Sequence, residues 1–299
     1  MTAGPGKGPG ASHPRWLAAA PALFVVLWSS GFIGAKLGLP YAEPLSFLLL
    51  RFVLVVAVML PVAALTHAPW PVPAQAGHIA VAGLLVQAGY LSGVFCAIRQ
   101  GVPAGIVALI TGMQPILTAL AAGPLLGERV SARQWTGLLL GNAGVAMVLS
   151  DKIAFEVRSG SGIALSVMAL ASITFGTIYQ KRYCPRLDLR TGSVIQFTAS
   201  ALLLAPLALA LEDMHVEWTG EFLFALAWLT LVLSCGAISL LFVMIRHGEA
   251  ARVSSLFFLT PPTTALIALF VFNEKLNLIA LAGIGVAVAG VALAAGRRD

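Results

Sequence analysis

Apolar stretches of about 20 residues recur from Trp16 to Ala295, broken only by short polar segments. Nothing constrains this chain more. Each stretch is long enough to cross roughly 30 Å of hydrocarbon at about 1.5 Å of helical rise per residue. Hydrocarbon supplies no hydrogen-bond partners, so the backbone must bond to itself, as a helix does. Only 10% of the residues are charged and 59% are hydrophobic, which leaves too little polar material for a water-soluble surface. The sequence therefore predicts an all-α membrane protein of ten transmembrane helices.

The predicted spans run from Trp16 to Ala35, Pro44 to Leu65, Gln75 to Ile98, Val102 to Leu125 and Ala132 to Ser150. A second set runs from Ser161 to Gln180, Thr191 to Leu211, Glu221 to Ile245, Ala250 to Phe272 and Asn277 to Ala295. Slid by 146 residues, the chain matches itself: Pro115 meets Pro261, Thr118 meets Thr264, Glu128 meets Glu274 and Gly144 meets Gly290. At an offset of 145, Gly31 meets Gly176, Lys36 meets Lys181, Phe52 meets Phe197 and Pro61 meets Pro206. The expected organisation is thus a tail at 1–15, a five-helix unit at 16–150, a linker at 151–160, a second unit at 161–295 and a tail at 296–299. An odd number of spans per unit makes the two units enter the membrane from opposite sides, the inverted arrangement of many transporters. Arg15 before an apolar run also fits a signal peptide, but the match of the first span to the sixth argues that it is retained.

Orientation follows from the basic residues. With the N-terminus in the cytoplasm, that side receives 12 of the 18 Lys and Arg and the other side six, so both termini are expected inside. The basic residues form no patch interleaved with aromatics, so no nucleic-acid partner is expected. Cys96, Cys184 and Cys235 are odd in number and fall at different depths, which favours free thiols. No cluster of His, Cys, Asp or Glu suggests a metal, a cofactor or enzyme chemistry. The glycines of the fifth span (Gly137, Gly141, Gly144) and, more loosely, of the tenth (Gly283, Gly285, Gly290) are expected to pack the two halves together, with a homodimer through them as the alternative. The expected partners are a small-molecule substrate and the lipid bilayer, with the chain as a monomer or a homodimer.

Prolines and buried polar groups mark the candidate site. Pro115 should loosen the carbonyl of Thr111, and Pro261 and Pro262 those of Phe257 and Phe258, as hinges or as packing kinks. Polar and aromatic groups at mid-span should face partners or a wet cavity. The candidates are Trp28, Ser30, Gln87, Tyr90, Thr111, Gln114, Tyr179, Ser254 and Phe258, with Ser29, Thr174, Ser234, Ser239, Ser255 and Thr260 as further polar positions. Any single Ser or Thr can instead bond to its own helix. No Asp or Glu lies deep within a span, which disfavours a carboxylate proton relay. Arg51, about two turns into the second span, either snorkels and bonds to neighbouring carbonyls or faces a cavity and holds a carboxylate.

WSSGFIGAKL on the first span, LLLRF on the second, the block from Ala104 to Pro115 followed by LLGERV, and its counterpart from Ala250 to Pro261 followed by NEKL carry a resemblance. Together they resemble the EamA-type branch of the drug/metabolite transporter superfamily over nearly the whole chain. The resemblance implies a ten-helix exporter of the bacterial inner membrane, with a central cavity between inverted halves. Within that branch it is most similar to amino-acid and metabolite exporters, the aromatic amino-acid exporters among them. The membrane-embedded glutamate of the small multidrug members is absent from the first span. The expected activity is export of amino acids or similar small neutral or zwitterionic metabolites by alternating access. Proton-coupled drug or metabolite efflux and a membrane-embedded lipid-modifying enzyme are the alternatives.

Overall fold

A computed structural model describes residues 16–126, 130–148, 160–185, 187–237, 240, 244, 256–272 and 277–295. Helices dominate, and no strand occurs among the described residues beyond one isolated bridge between Ala42 and Val216. In chain order they are α1 (Trp16–Gly38), α2 (Pro44–Leu65), α3 (Pro73–Arg99), α4 (Ala104–Thr111 and Gln114–Leu126) and α5 (Ala132–Val148). Then come α6 (Gly160–Tyr183), α7 (Leu189–Leu211), α8 (Gly220–Ala237), α9 (a 3₁₀ turn, Leu256–Leu259, leading into Thr260–Phe272) and α10 (Leu278–Ala295). Six of these, α1, α2, α3, α6, α7 and α8, are long and apolar enough to cross a membrane, and shorter apolar helices accompany them. The chain is a multi-span membrane protein. Ser239, Ser254, Ser255 and most of the linker lie outside the described residues.

Local chemistry sets several helix ends. Pro44 and Pro73 occupy the first helical turn, where a missing N–H costs nothing, behind extended Glu43 and Val72. Interior Pro21, Pro61 and Pro206 stand within continuous helices, a tolerance found where neighbouring helices can satisfy the freed carbonyls. The chain breaks where proline loosening was expected, but each break takes its own form. In α4 the first segment stops at Gly112 and the second starts at Gln114, so Pro115 sits in the first turn of a new helix. In α9 the four residues before Thr260 tighten into a 3₁₀ turn, and Pro261 and Pro262 follow in the first α-helical turn.

Two further irregularities escape any apolar pattern. α3 widens into a π-helix over Leu84–Gly89 and α8 does so over Trp228–Ala237. An offset of 145 carries Leu84 to Leu229, so both π segments occupy matching places in the sequence.

Helices pack across the chain's two parts. α2 lies against α7, α3 against α6, α1 against α8 and α9, and α5 against α10. Small residues permit the closest of these approaches. A Cβ on Gly283 would stand 2.6 Å from the Gly144 carbonyl oxygen, and one on Gly83 2.6 Å from Cα of Gln196. Gly285 faces open space, so the loose glycine spacing of the tenth span serves α5 only in part. The main core gathers Phe47, Phe52, Phe95, Phe197 and Phe222, each at most 2% exposed, between α2, α3, α7 and α8. Leucine, valine and phenylalanine side chains cover the outside, as a lipid-facing surface requires. All three cysteines are free.

One end of the α2/α7 pair is strapped together. The Glu212 carboxylate, at the end of α7, accepts the Leu45 and Ser46 backbone N–H groups at 2.8 and 2.7 Å and the Ser46 hydroxyl at 2.6 Å. Glu221 accepts the Tyr41 hydroxyl at 2.6 Å, a bond that raises the phenol pKa above its ordinary value. At the opposite end α7 is capped by its own Asp188, and Thr191 donates to the Pro69 carbonyl at 3.0 Å.

Candidate functional site

Two adjoining cavities open between the helices, with about 590 and 340 Å³ of empty space. Helical spacing on α1 brings Trp28, Gly31, Phe32 and Ala35 to the larger one, all on one face. α3 contributes Gln87 and Tyr90 with the apolar Val86, Leu91, Val94 and Phe95, while Arg51 enters from α2, Ile173 from α6 and Leu233 from α8. Trp28, Phe32, Tyr90 and Ile173 also border the smaller cavity. There they meet Thr111, Gly112 and Gln114 at the break in α4 and Phe257, Thr260 and Pro261 in α9. Irregular backbone at both breaks thus lines a cavity, the setting in which a membrane interior tolerates it.

Arg51 takes the second of its two expected alternatives in placement: it borders the cavity and is 2% exposed. Its Nε and Nη2 donate to Ser234 Oγ at 3.2 and 3.0 Å. Ser234 in turn donates to the Leu229 carbonyl at 3.0 Å, five residues back. The π segment of α8 makes this arrangement. An α-helix pairs each carbonyl with the residue four later, whereas here the hydroxyl takes one five back and turns its lone pairs to the guanidinium. No Asp or Glu borders either cavity among the described residues.

At an offset of 145 the position of Arg51 is matched by Gln196 on α7. Gln196 accepts from Gln87 Nε2 at 3.5 Å and donates to Gln180 Oε1 at 3.2 Å. Ser200 donates to the Gly83 carbonyl at 3.1 Å beside it, and a Cβ on Gly83 would meet the Gln196 backbone, so α3 and α7 approach closely here.

Trp28, Gln87, Tyr90, Thr111, Gln114 and Pro261 are brought together by the fold; Ser30, Tyr179 and Phe258 are not. The Ser30 hydroxyl donates to the Leu27 carbonyl at 2.6 Å and accepts Trp228 Nε1 at 2.8 Å, which ties α1 to α8 away from both cavities. Tyr179 hydrogen-bonds His78 Nδ1 at 2.8 Å near the ends of α3 and α6, where Tyr183 stacks on the imidazole. Phe258 is fully buried against Gly141 of α5, with Leu138 and Val291 beside it. Its neighbour Phe257 borders the cavity instead and meets Trp28 edge to face at 5.2 Å. Pro115 and Pro262 are buried, and Ser254 lies outside the described residues.

Among the further polar positions, Ser29 donates to the Val25 and Thr260 carbonyls at 2.6 and 3.2 Å, locking α1 to α9, and Thr174 bonds back to Leu170 at 2.7 Å. The Thr260 hydroxyl is buried and has no partner among the described residues, although Thr260 borders the smaller cavity. Apolar lining residues such as Phe32, Leu233 and Ile173 were missed by a search for polar groups. The spacing 28, 31/32, 35 on α1 and 87, 90/91, 94 on α3 was a signal that could have found many of them.

A model of the EamA-like transporter family matches residues 16–150 and again residues 160–296. Among curated relatives, "Uncharacterized transporter YvbV" of Bacillus subtilis (strain 168) is 26% identical, over 91% of this chain and 89% of its own length. The "Probable amino-acid metabolite efflux pump" of Salmonella typhimurium is also 26% identical, over 90% and 91%. A solved crystal structure shares the fold with a TM-score of 0.73 at 18% identity, covering 93% of this chain and 97% of that one.

Proposed function

This chain belongs to the EamA-like transporter family, and on that premise we propose that it exports amino acids or similar small neutral or zwitterionic metabolites by alternating access. The cavity carries the reading: helices from both parts of the chain enclose a space in which aromatic and apolar walls meet a few convergent polar groups. Trp28, Gln87, Tyr90, Thr111 and Gln114 contact the solute, joined by Phe257. Export rather than uptake is the direction suggested by the efflux pump among the relatives. The absence of Asp and Glu from the cavity lining, among the described residues, supports a carrier that works without a carboxylate relay.

The frame of the proposal is a ten-span protein with both termini in the cytoplasm, inserted in the bacterial inner membrane as a monomer or homodimer. Residues 16–150 and 161–295 are its inverted five-helix units, a reading supported by the double match to one family and by the 145-residue offset. The breaks before Pro115 and Pro261/Pro262 are the places where the two units flex.

Purified protein in liposomes should move labelled phenylalanine and other amino acids faster than empty vesicles do. Tyr90→Ala should lower that flux at least about tenfold if Tyr90 supplies a buried contact of about 1.4 kcal/mol. Flux equal to that of empty vesicles across a broad amino-acid panel would overturn the proposal.

A further inference from the structure

A guanidinium has five N–H donors. In Arg51 the Nε side is committed, because Nε and Nη2 both point to Ser234 Oγ. What remains is the terminal edge, with both hydrogens of Nη1 and one of Nη2, and no protein acceptor for it occurs among the described residues. The side chain is 2% exposed, borders the larger cavity and has no carboxylate among the described lining residues there. A buried cation left unneutralised is costly unless the cavity brings it an anion or water. Parallel N–H groups on that free edge match the two oxygens of a carboxylate.

We propose that Arg51 anchors the carboxylate of the transported solute, with Ser234 as the residue that positions it. Resting on the transport reading above, this inference names which charge of the solute is recognised. The aromatic surfaces of Trp28, Phe32, Tyr90 and Phe95 receive an uncharged apolar body. No acid among the described lining residues pairs with an ammonium group, so the amino group of an amino acid is incidental to binding. The substrate class is small monocarboxylates with an apolar or aromatic body, of which amino acids are one kind.

The test uses the full-length protein and three probes of one shape: phenylalanine, 3-phenylpropanoate and phenylalaninamide. Binding is read calorimetrically in detergent, and competition is read against labelled phenylalanine in proteoliposomes. 3-Phenylpropanoate should bind within about threefold of phenylalanine, and phenylalaninamide about tenfold to a hundredfold more weakly, the range of a charge-assisted hydrogen-bond pair. Arg51→Gln, which installs the residue found at the matching position on α7, should erase the difference between acid and amide. Arg51→Lys should restore part of it, and Ser234→Ala should shrink it.

Equal affinity of the wild-type protein for acid and amide overturns the proposal without any variant, as does failure of both acids to bind. If the acids bind and Arg51→Gln removes that preference while no probe crosses the membrane, the anchor stands and the transport reading fails. If phenylalanine is transported but acid and amide compete equally, transport stands and the anchor falls.

Discussion

α2 and α7 start 145 residues apart and lie side by side, yet they meet different surroundings. α2 carries Arg51 beside a cavity and has its N-terminus capped by Glu212 from the far end of α7. α7 carries Gln196 in a closed seam and is capped by its own Asp188. A charge stands where the fold leaves space for solute or water, and a neutral amide where helices touch. The carboxylate strap across the chain's two parts belongs to one end, while at the other a single Thr191 hydroxyl reaches the Pro69 carbonyl. Similar sequence frames thus produce one wall that borders a cavity and one that closes a seam, and the deciding variable is how closely the neighbouring helix approaches.

The comparison breaks most decisively at Gly83. A Cβ there already meets the Gln196 backbone at 2.6 Å, so Gly83→Leu should prevent α3 from seating on α7 and abolish monodisperse protein in size-exclusion chromatography. Folded protein with an unchanged melting temperature would mean that the seam is not closed. Gln196→Arg should come next, with a loss of several kcal/mol, because it buries a second cation among amides with no acid beside it. Thermal unfolding in detergent measures the loss; a variant as stable as the parent would show that this seam admits a charge as readily as the cavity does.

Glu212→Ala removes three hydrogen bonds to a charged acceptor and should cost about 2 to 3 kcal/mol. Asp188→Ala also removes three hydrogen bonds, but one is a local cap and two belong to a partly exposed ion pair with Arg190, so it should cost only about 1 kcal/mol. If the order of these two were reversed, the strapped end would not be the stronger one. The Asp188 effect should also depend on pH. Its hydrogen bonds from Arg190 hold the carboxyl below its ordinary pKa, so the stabilisation is present above the usual carboxylate range and lost as pH falls through the folded value. The difference between parent and Asp188→Ala should therefore be full at pH 7 and narrow below about pH 4. Melting temperatures measured across that range would reveal a pH-independent gap if the cap were not ionic.

Much of this was legible in the residues. Long apolar runs can satisfy their backbones only as helices, and Pro44 marked one helix start in the open, whereas the third span was read from Gln75 and begins at Pro73. Trp28, Gln87 and Tyr90 stood out because polar or amphipathic groups in apolar runs need somewhere to point. Phe257 and Phe258 could not be told apart by that reasoning. They have the same chemistry one residue apart, and only the phase of a 3₁₀ turn sends one to the cavity and the other against Gly141. The same holds for Ser30 and Tyr179, whose hydroxyls found partners on other helices.

By itself, then, the sequence determined that the chain is helical and lives in a membrane, which follow from local composition and spacing, and its motifs carried the resemblance to the EamA-like family. Tertiary structure alone decided that Arg51 meets Ser234, 183 residues away, and that a cavity lies before it. The physical reason is that hydrocarbon dictates each helix separately. Which face of a helix meets another, and whether a void remains between them, depends on π turns, 3₁₀ turns and single glycines that shift the phase of side chains far apart in the chain.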